Sequence, residues 1–344
     1  MAKSILGVDV GYDCLKIALM SGKKVKKTVQ VSMPNKLVRE GRVVSTETMG
    51  ELLRTTMREN GIRCSRAAVA FPNETVFVRN VTMPPMSPDQ LMYNLPFEFR
   101  DYITDELKDY VFDYATLSGR KKAAEPAPAD SAPAEEGEDA DAVELLAVAA
   151  PLTLIEETRA YLRKAGLKLV KAAPAVCAYI ELIRSLGSSA ESADREYCIL
   201  DLGYQSIRMY MFKGDRHEVT RVLEIGLSSI DNAIADAYNV DVHLAHTYLL
   251  TNFEDCQSKE VCLNAFNNIA VELMRALNFY RFSNPDSQLA DIWLCGGGAA
   301  IEPLRREITN ALDMTIHAAE ELLPSGNTVE DAYAFMQAVG ITLG

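Results

Sequence analysis

GVDVGYDCLKIAL, residues 7–19, and CILDLGYQSIRMYMF, residues 198–212, carry one pattern twice: Asp-x-Gly-Tyr-x-x-aliphatic-basic, at 9–16 and again at 201–208. In each copy a short apolar run leads into an aspartate, a glycine follows two residues later, and the chain resumes with an aliphatic and a basic residue. Such a run predicts a strand, a tight turn made possible by glycine, and an antiparallel return strand. Two copies predict two halves built to one plan.

The sequence around the first copy extends that plan. A break at Ser21-Gly22 precedes VKKTVQVSM, a further strand. TETMGELLRTTMREN, residues 46–60, places Leu52, Leu53, Thr56 and Met57 on one helical face, with Gly61 as its C-terminal cap. RAAVAFP then reads as a strand. Three strands, a helix and a strand form the opening of a ribonuclease-H-like half. Residues 74–117 add a strand ETVFVRNVTM, a corner at Pro84, Pro85 and Pro88, a helix capped by Ser87, and a strand YVFDYATL. Residues 118–142 are almost wholly Ala, Pro, Glu, Asp and Lys, with nothing to bury, and are expected to form a disordered loop. A strand at 142–150, a helix from 152, a strand KLVKAA and a helix through 174–186 complete the first half.

GSSAESAD, 187–194, has linker composition, and after it the hairpin plan restarts. The strand EVTRVLEIG leads to one long helix expected from about 228 to 250 and a mostly helical stretch to about 282. ADIWLC then runs into a glycine triplet, followed by the helices IEPLRREITNAL and VEDAYAFMQAVGI.

Composition narrows the function. With 344 residues, the chain exceeds one ordinary domain. A net charge of −13 argues against nucleic acid and anionic lipid, and the cluster Lys23, Lys24, Lys26 and Lys27 reads as a solvated hairpin turn. The seven cysteines are scattered without CxxC spacing, which suggests neither a disulfide framework nor zinc and points to a reducing cytoplasm. MAKSILGVDVG is no signal peptide, and no apolar run reaches the roughly 20 residues that span a bilayer.

The two hairpins would bring two carboxylates and two sets of turn amides to face each other across a cleft. That arrangement suits a nucleotide, since turn amides bind phosphate and carboxylates such as Asp9 and Asp201 can hold magnesium through its waters. The triplet Gly296, Gly297 and Gly298, between a strand and a helix, lets backbone lie flat against a planar ligand. His243 and His246 have a spacing compatible with a metal, but no further histidine or carboxylate pattern completes the site. His217 reads as part of a hairpin turn and His317 as an isolated residue near a strand.

The order of phosphate hairpin, second phosphate hairpin and adenosine glycines resembles the actin-like ATPase superfamily. Within it, GVDVGYDCLKIALM, AAVAFPNETVFVRNVTMPPM with NLPFEF, ELMRALNFYRF, LCGGGAAIEPL and AYAFMQAVGITLG resemble the type IV pilus assembly protein M (PilM) family over nearly the whole chain. The resemblance implies an α/β, actin-like ATPase fold: two ribonuclease-H-like domains with an FtsA/PilM-type 1C subdomain inserted in the first. It divides the chain into domain I at 1–187, with 1C at about 72–165, domain II at 195–327, and a C-terminal helix at 328–344 that returns to domain I. It implies ATP and Mg2+ as cofactors, with Asp9 and Asp201 as the catalytic, magnesium-holding carboxylates. Gly11, Tyr12, Asp13, Cys14 and Lys16 would form the first phosphate loop, and Gly203, Gln205 and Ser206, after Asp201, the second. Gly296, Gly297, Gly298 and Ala299 would flank the adenosine, and Glu272 and Arg275 would reach its base or ribose.

The first loop departs from the family, which has small hydroxyl residues where this chain has Tyr12, Asp13 and Cys14, and Tyr204 is bulky where relatives are small. Asp13 would repel phosphate unless it faces away or meets the metal. The implied function is a cytoplasmic ATP-binding scaffold of a type IV pilus or related secretion or DNA-uptake machine, at most a slow ATPase. It would sit at the inner face of the plasma membrane through a partner, the cytoplasmic N-terminal tail of a bitopic, PilN-like inner-membrane protein, with Arg79 near the groove that holds the tail. Self-association, a polymer of FtsA type and a small-molecule kinase of the same fold stand beside it. A kinase needs a positioned carboxylate base, and none is evident beside the hairpins.

Overall fold

The computed structural model describes residues 4–117, 142–187 and 195–344. The first repeat forms β1 (Ile5–Val10) and β2 (Cys14–Ser21), followed by β3 (Lys24–Ser32), the short ladder β4 (Val38–Arg39) and β5 (Arg42–Val43), α1 (Thr46–Glu59) and β6 (Arg66–Phe71). A small unit comes next, with β7 (Phe77–Met83), α2 (Pro88–Asn94), β8 (Tyr110–Thr116) and β9 (Val143–Pro151). The half closes with α3 (Leu152–Lys164), β10 (Lys168–Pro174) and α4 (Ala175–Ser185). The second repeat gives β11 (Glu196–Leu202), β12 (Ile207–Lys213) and β13 (Arg216–Leu223), then α5 (Leu227–Tyr238), α6 (Val242–Thr251) and α7 (Glu260–Ser283). The chain ends with β14 (Asp291–Cys295), α8 (Glu302–Ala311), β15 (Thr315–Ala318) and α9 (Ala332–Gly340).

The twin plan is visible in the strand orders β10-β6-β1-β2-β3 and β13-β12-β11-β14-β15. In both sheets the hairpin and third strand are antiparallel, and the two later strands join parallel. A third sheet, β7-β9-β8, belongs to the small unit.

Alternation along the strands sorts the side chains into layers. Leu6, Val8, Leu15 and Ile17 face an outer core closed by Met49, Leu53 and Met57 of α1 and Leu154, Tyr161 and Leu162 of α3. Cys198, Leu200, Met209 and Met211 face the matching outer core under α5, α7 and α8. The opposite faces meet in a shared core, where Ala18, Met20, Ile199, Tyr210, Phe212 and Trp293 pack on α4 and α9. These two helices lie between the sheets so closely that a Cβ on Gly7 of β1 would run into the Ala338 carbonyl, and one on Gly340 into Ala178.

Local signals account for the element ends. Ser45 caps α1 by accepting from the Thr48 amide, and Ser87 and Gln90 form a reciprocal capping box on α2 with Pro88 at its start. The helix expected from 228 to 250 is two helices. Asn239 ends α5 in the left-handed region at φ 52°, and Asp241 starts α6 by accepting from the amides of His243 and Leu244. An apolar period runs through both, and the Asn-Val-Asp punctuation overrides it. The glycine triplet opens a single 3-10 turn, Gly297–Ala300, rather than α8 itself. The expected loop at 118–142 and linker at 187–194 lie outside the described residues except for Ala142 and Gly187.

Candidate functional site

Asp9 and Asp201 share the face of their strands that turns toward the shared core, because the residues on either side of each point outward. The register explains why the repeat includes a basic residue. Asp9 stands opposite Lys16, and Asp201 opposite Arg208. Lys16 Nζ lies 3.7 Å from Asp9 Oδ2, and Arg208 lies 3.7 Å from Asp201 Oδ2 while its Nε donates to Glu74 Oε1 at 2.6 Å. Gln337 of α9 donates to Asp201 Oδ2 at 2.8 Å, so the last helix contributes to the site. The turns are equally tight, since Gly11 and Gly203 each have a following carbonyl, of Cys14 and Ser206, where a Cβ would sit.

Between the hairpins lies a cavity of ≈ 360 Å³ lined by Asp9, Gly11, Tyr12, Asp13, Cys14 and Lys16 from the first, and by Asp201, Gly203, Tyr204, Gln205 and Arg208 from the second. Burial raises the Asp9 pKa, the negative charge of Asp201 adds to the rise, and Lys16 only partly offsets them. Burial works against the Lys16 ammonium, yet Asp9 and Asp201 hold its pKa above the ordinary value.

One wall comes from a residue that sequence reasoning set aside. His246 of α6 lines the cavity, and its Nδ1 lies 2.8 Å from Oδ2 of Asp231, a wholly buried carboxylate on α5. Its Nε2 faces Asp13 Oδ1 at 3.4 Å, an ion pair longer than a good hydrogen bond. Despite partial burial, the two carboxylates push the imidazole pKa up to about 10, so His246 is a cation at neutral pH. Burial would raise Asp13, but His246 and the Cys14 thiol bring its pKa below the ordinary value. Burial and the same carboxylate push Cys14 up to about 12, leaving it a neutral thiol. Tyr204 sets its ring edge-on to His246 at 5.4 Å. One turn earlier on α6, His243 Nε2 is 2.9 Å from Asn35 Nδ2.

Other expected residues divide by position. Gly297 lines the cavity, with only Leu227 near a built Cβ, at 3.8 Å; Gly296, at φ +84°, instead lies against Asp201 and the Leu202 backbone. Gly298 and Ala299 are buried in the 3-10 turn. Ser206 is buried, with its hydroxyl 3.5 Å from Glu74. Glu272 and Arg275 pair with each other on α7 and are not among the residues that line this cavity. Arg79 of β7 donates to the Glu98 carbonyl at 2.5 Å and lies over the Tyr102 ring. Sequence reasoning missed His246, Gln337 and Tyr333 as cleft residues; all three sit on helices far along the chain, and no local motif marks them.

The donor chemistry fits a phosphate ligand with a hydrated cation. Asp201 adds to the cost of charging the buried Asp9, which a divalent ion would relieve, and Mg2+ needs only one or two carboxylates when phosphate and water complete its shell. Among the described residues, no group of three or more His, Cys, Asp or Glu is arranged to hold a metal on its own. At Gly297 the missing side chain leaves room for a flat ligand.

Comparison with known proteins bears on the fold. A PilM–PilN type IV pilus biogenesis complex matches with a TM-score of 0.78 at 22% identity, covering 98% of this chain and 97% of the other. The ethanolamine utilization protein EutJ from Carboxydothermus hydrogenoformans matches at 0.58 and 14% identity, over 99% and 89% of the two chains. MreB 5 of Spiroplasma citri, bound to AMPPNP, matches at 0.51 and 12% identity, over 99% and 96%. No curated protein sequence matches. These likenesses establish the actin-like ATPase fold: two ribonuclease-H-like halves with the β7–β9–β8 unit inserted in the first as the 1C subdomain. The family model of the type IV pilus assembly protein PilM covers residues 7–326, and the chain therefore belongs to the PilM family.

Proposed function

We propose that the protein is a nucleotide-binding scaffold of a type IV pilus assembly machine, taking ATP with Mg2+ in the cleft between the hairpins. The observation that carries this reading is the pair of register-matched hairpins, Asp9/Lys16 and Asp201/Arg208, facing one cavity. Asp9 and Asp201 would hold the hydrated cation, which when bound neutralises phosphate charge. The turns at Gly11 and Gly203 would cradle the phosphates, and Gly297 would lie under the base. The division into domain I to 187, domain II from 195 to 327 and a returning final helix draws support from the twin sheets and from α9 packed on β1 and β2.

The scaffold would act at the membrane through a partner. Among the described residues, no helix is long and apolar enough to cross a membrane. A solved relative is a complex with PilN. The partner we propose is the cytoplasmic N-terminal tail of a bitopic inner-membrane protein of that type, received beside the 1C unit near Arg79.

Titration calorimetry with ATP and Mg2+ tests the nucleotide half of the reading. The wild type should bind, and Asp201→Asn should bind about ten- to hundredfold more weakly, as expected when one charged contact is lost. Equal affinity for the two proteins would refute the assigned role of Asp201. A pull-down with the partner's tail peptide, with and without ATP, tests the scaffold half; no retention in either state would end it.

A further inference from the structure

Two links join α6, in the second half, to the first half at the mouth of the cleft. His246 faces Asp13 in the turn between β1 and β2, and His243 meets Asn35 just after β3. The receiving side is one unit, because the Met33 amide donates to the Asp13 carbonyl at 2.6 Å and ties the two loops together. The presenting side is one unit too. His243 and His246 sit three residues apart on one helical face, and the buried Asp231 holds Nδ1 of His246 while Nε2 is turned to Asp13, the side chains of His246 and Asp13 both lining the cavity. That Nε2 is buried and has no close hydrogen-bond acceptor. An imidazolium pinned at Nδ1 has one N–H left to give. It can serve Asp13 or an incoming anion, not both.

We propose that His246 is a positioning residue that clasps the two halves through Asp13 in the nucleotide-free protein, and that the terminal phosphate group of a bound nucleotide displaces Asp13 from it. The departure of this chain from a hydroxyl at position 13 then has a role. Asp13 occupies the imidazolium when the cleft is empty and gives it up when phosphate enters, so binding is coupled to release of the mouth. The displacement rests on the nucleotide reading above; the clasp does not.

The test uses the full chain as wild type, Asp13→Asn, His246→Gln and the double variant, with amide hydrogen exchange and ATP·Mg2+ titration on each. Asp13 is half-buried in a turn, and Asn keeps its size and shape, so Asp13→Asn should fold. Without nucleotide, each single variant should raise exchange on both sides of the mouth, at 11–14 with 33–37 and along α6, and the double variant should add nothing. With ATP·Mg2+, Asp13→Asn should bind about tenfold more tightly and His246→Gln about tenfold more weakly, within the usual range of coupling between groups at one site. In the His246→Gln background, Asp13→Asn should no longer matter. Exchange changes confined to the mutated side would overturn the clasp. Additive effects on ATP affinity would overturn the displacement and leave the nucleotide reading standing. Failure of all four proteins to bind ATP would overturn the nucleotide reading and the displacement with it, while the exchange pattern still decides the clasp.

Discussion

His246 carries a charge that folding creates. An exposed histidine titrates near ~6.5, whereas Asp13 and Asp231 hold this one near about 10. The folded state therefore binds the proton more tightly than the unfolded chain does. Its contribution to stability is complete below the unfolded value and is lost as pH rises through about 10. The denaturant midpoint of the wild type should fall between pH 7 and pH 10 by more than that of His246→Gln, measured on the two proteins in parallel; parallel curves would show that the pair contributes nothing. Little of this could be read from the sequence. Asp9, Gly11, Asp201 and Gly203 were legible because a hairpin is a local object whose turn and register are set by adjacent residues. His246, the partner of Asp13, lies 233 positions away on a helix that only the tertiary fold brings back. The basic residue of the repeat was visible as a letter, but its meaning as the cross-strand partner of the aspartate needed the register.

At the scale of elements, two ends test how helices are specified here. Asn239, at φ 52°, separates α5 from α6. Asn239→Ala should destabilise by about 1 kcal/mol, because a Cβ without a side-chain amide is disfavoured in the left-handed region, while Asn239→Gly should be neutral or slightly stabilising. A continuous helix would give the reverse order, since alanine favours helix interiors, so urea titration of the two variants separates the cases. In the 1C unit, Ser87→Ala removes a capping box and should cost about 1 kcal/mol, read in the same titration. That cap and its proline were legible because all the atoms involved lie within four residues. The split of the long helix was legible in principle, since Asn and Asp flank Val240. The apolar period hid it, because a run of buried faces looks alike whether or not the axis bends between them. β15 left only a faint trace in the sequence, a strand expected near His317 without bounds, because four residues of an edge strand offer too short a period to delimit.

For the whole molecule, the decisive arrangement is the shared core. Tyr179 and Tyr210, 4.8 Å apart at their ring centres, join α4 to the second sheet, and Ala338 presses on Gly7 in the first. Neither sheet can bury that face without the other. Urea denaturation should therefore be a single transition, with fluorescence of the lone tryptophan, Trp293 in the shared core, coinciding with far-ultraviolet dichroism. Two separated transitions would show that the halves fold independently. Gly340→Val, which forces a branched side chain against Ala178, should lower stability by about 3 kcal/mol or more and weaken both halves together.

The position of α9 also bears on how the protein is made. The helix that lies against Gly7 of β1 is translated more than three hundred residues after that strand. While the ribosome is still at work, the nascent first half holds an open slot with an apolar lining, and it cannot finish folding in the order in which it is synthesised. Asp201 lacks its hydrogen bond from Gln337 until α9 has arrived, so the lining of the cleft is assembled only after both halves have been made.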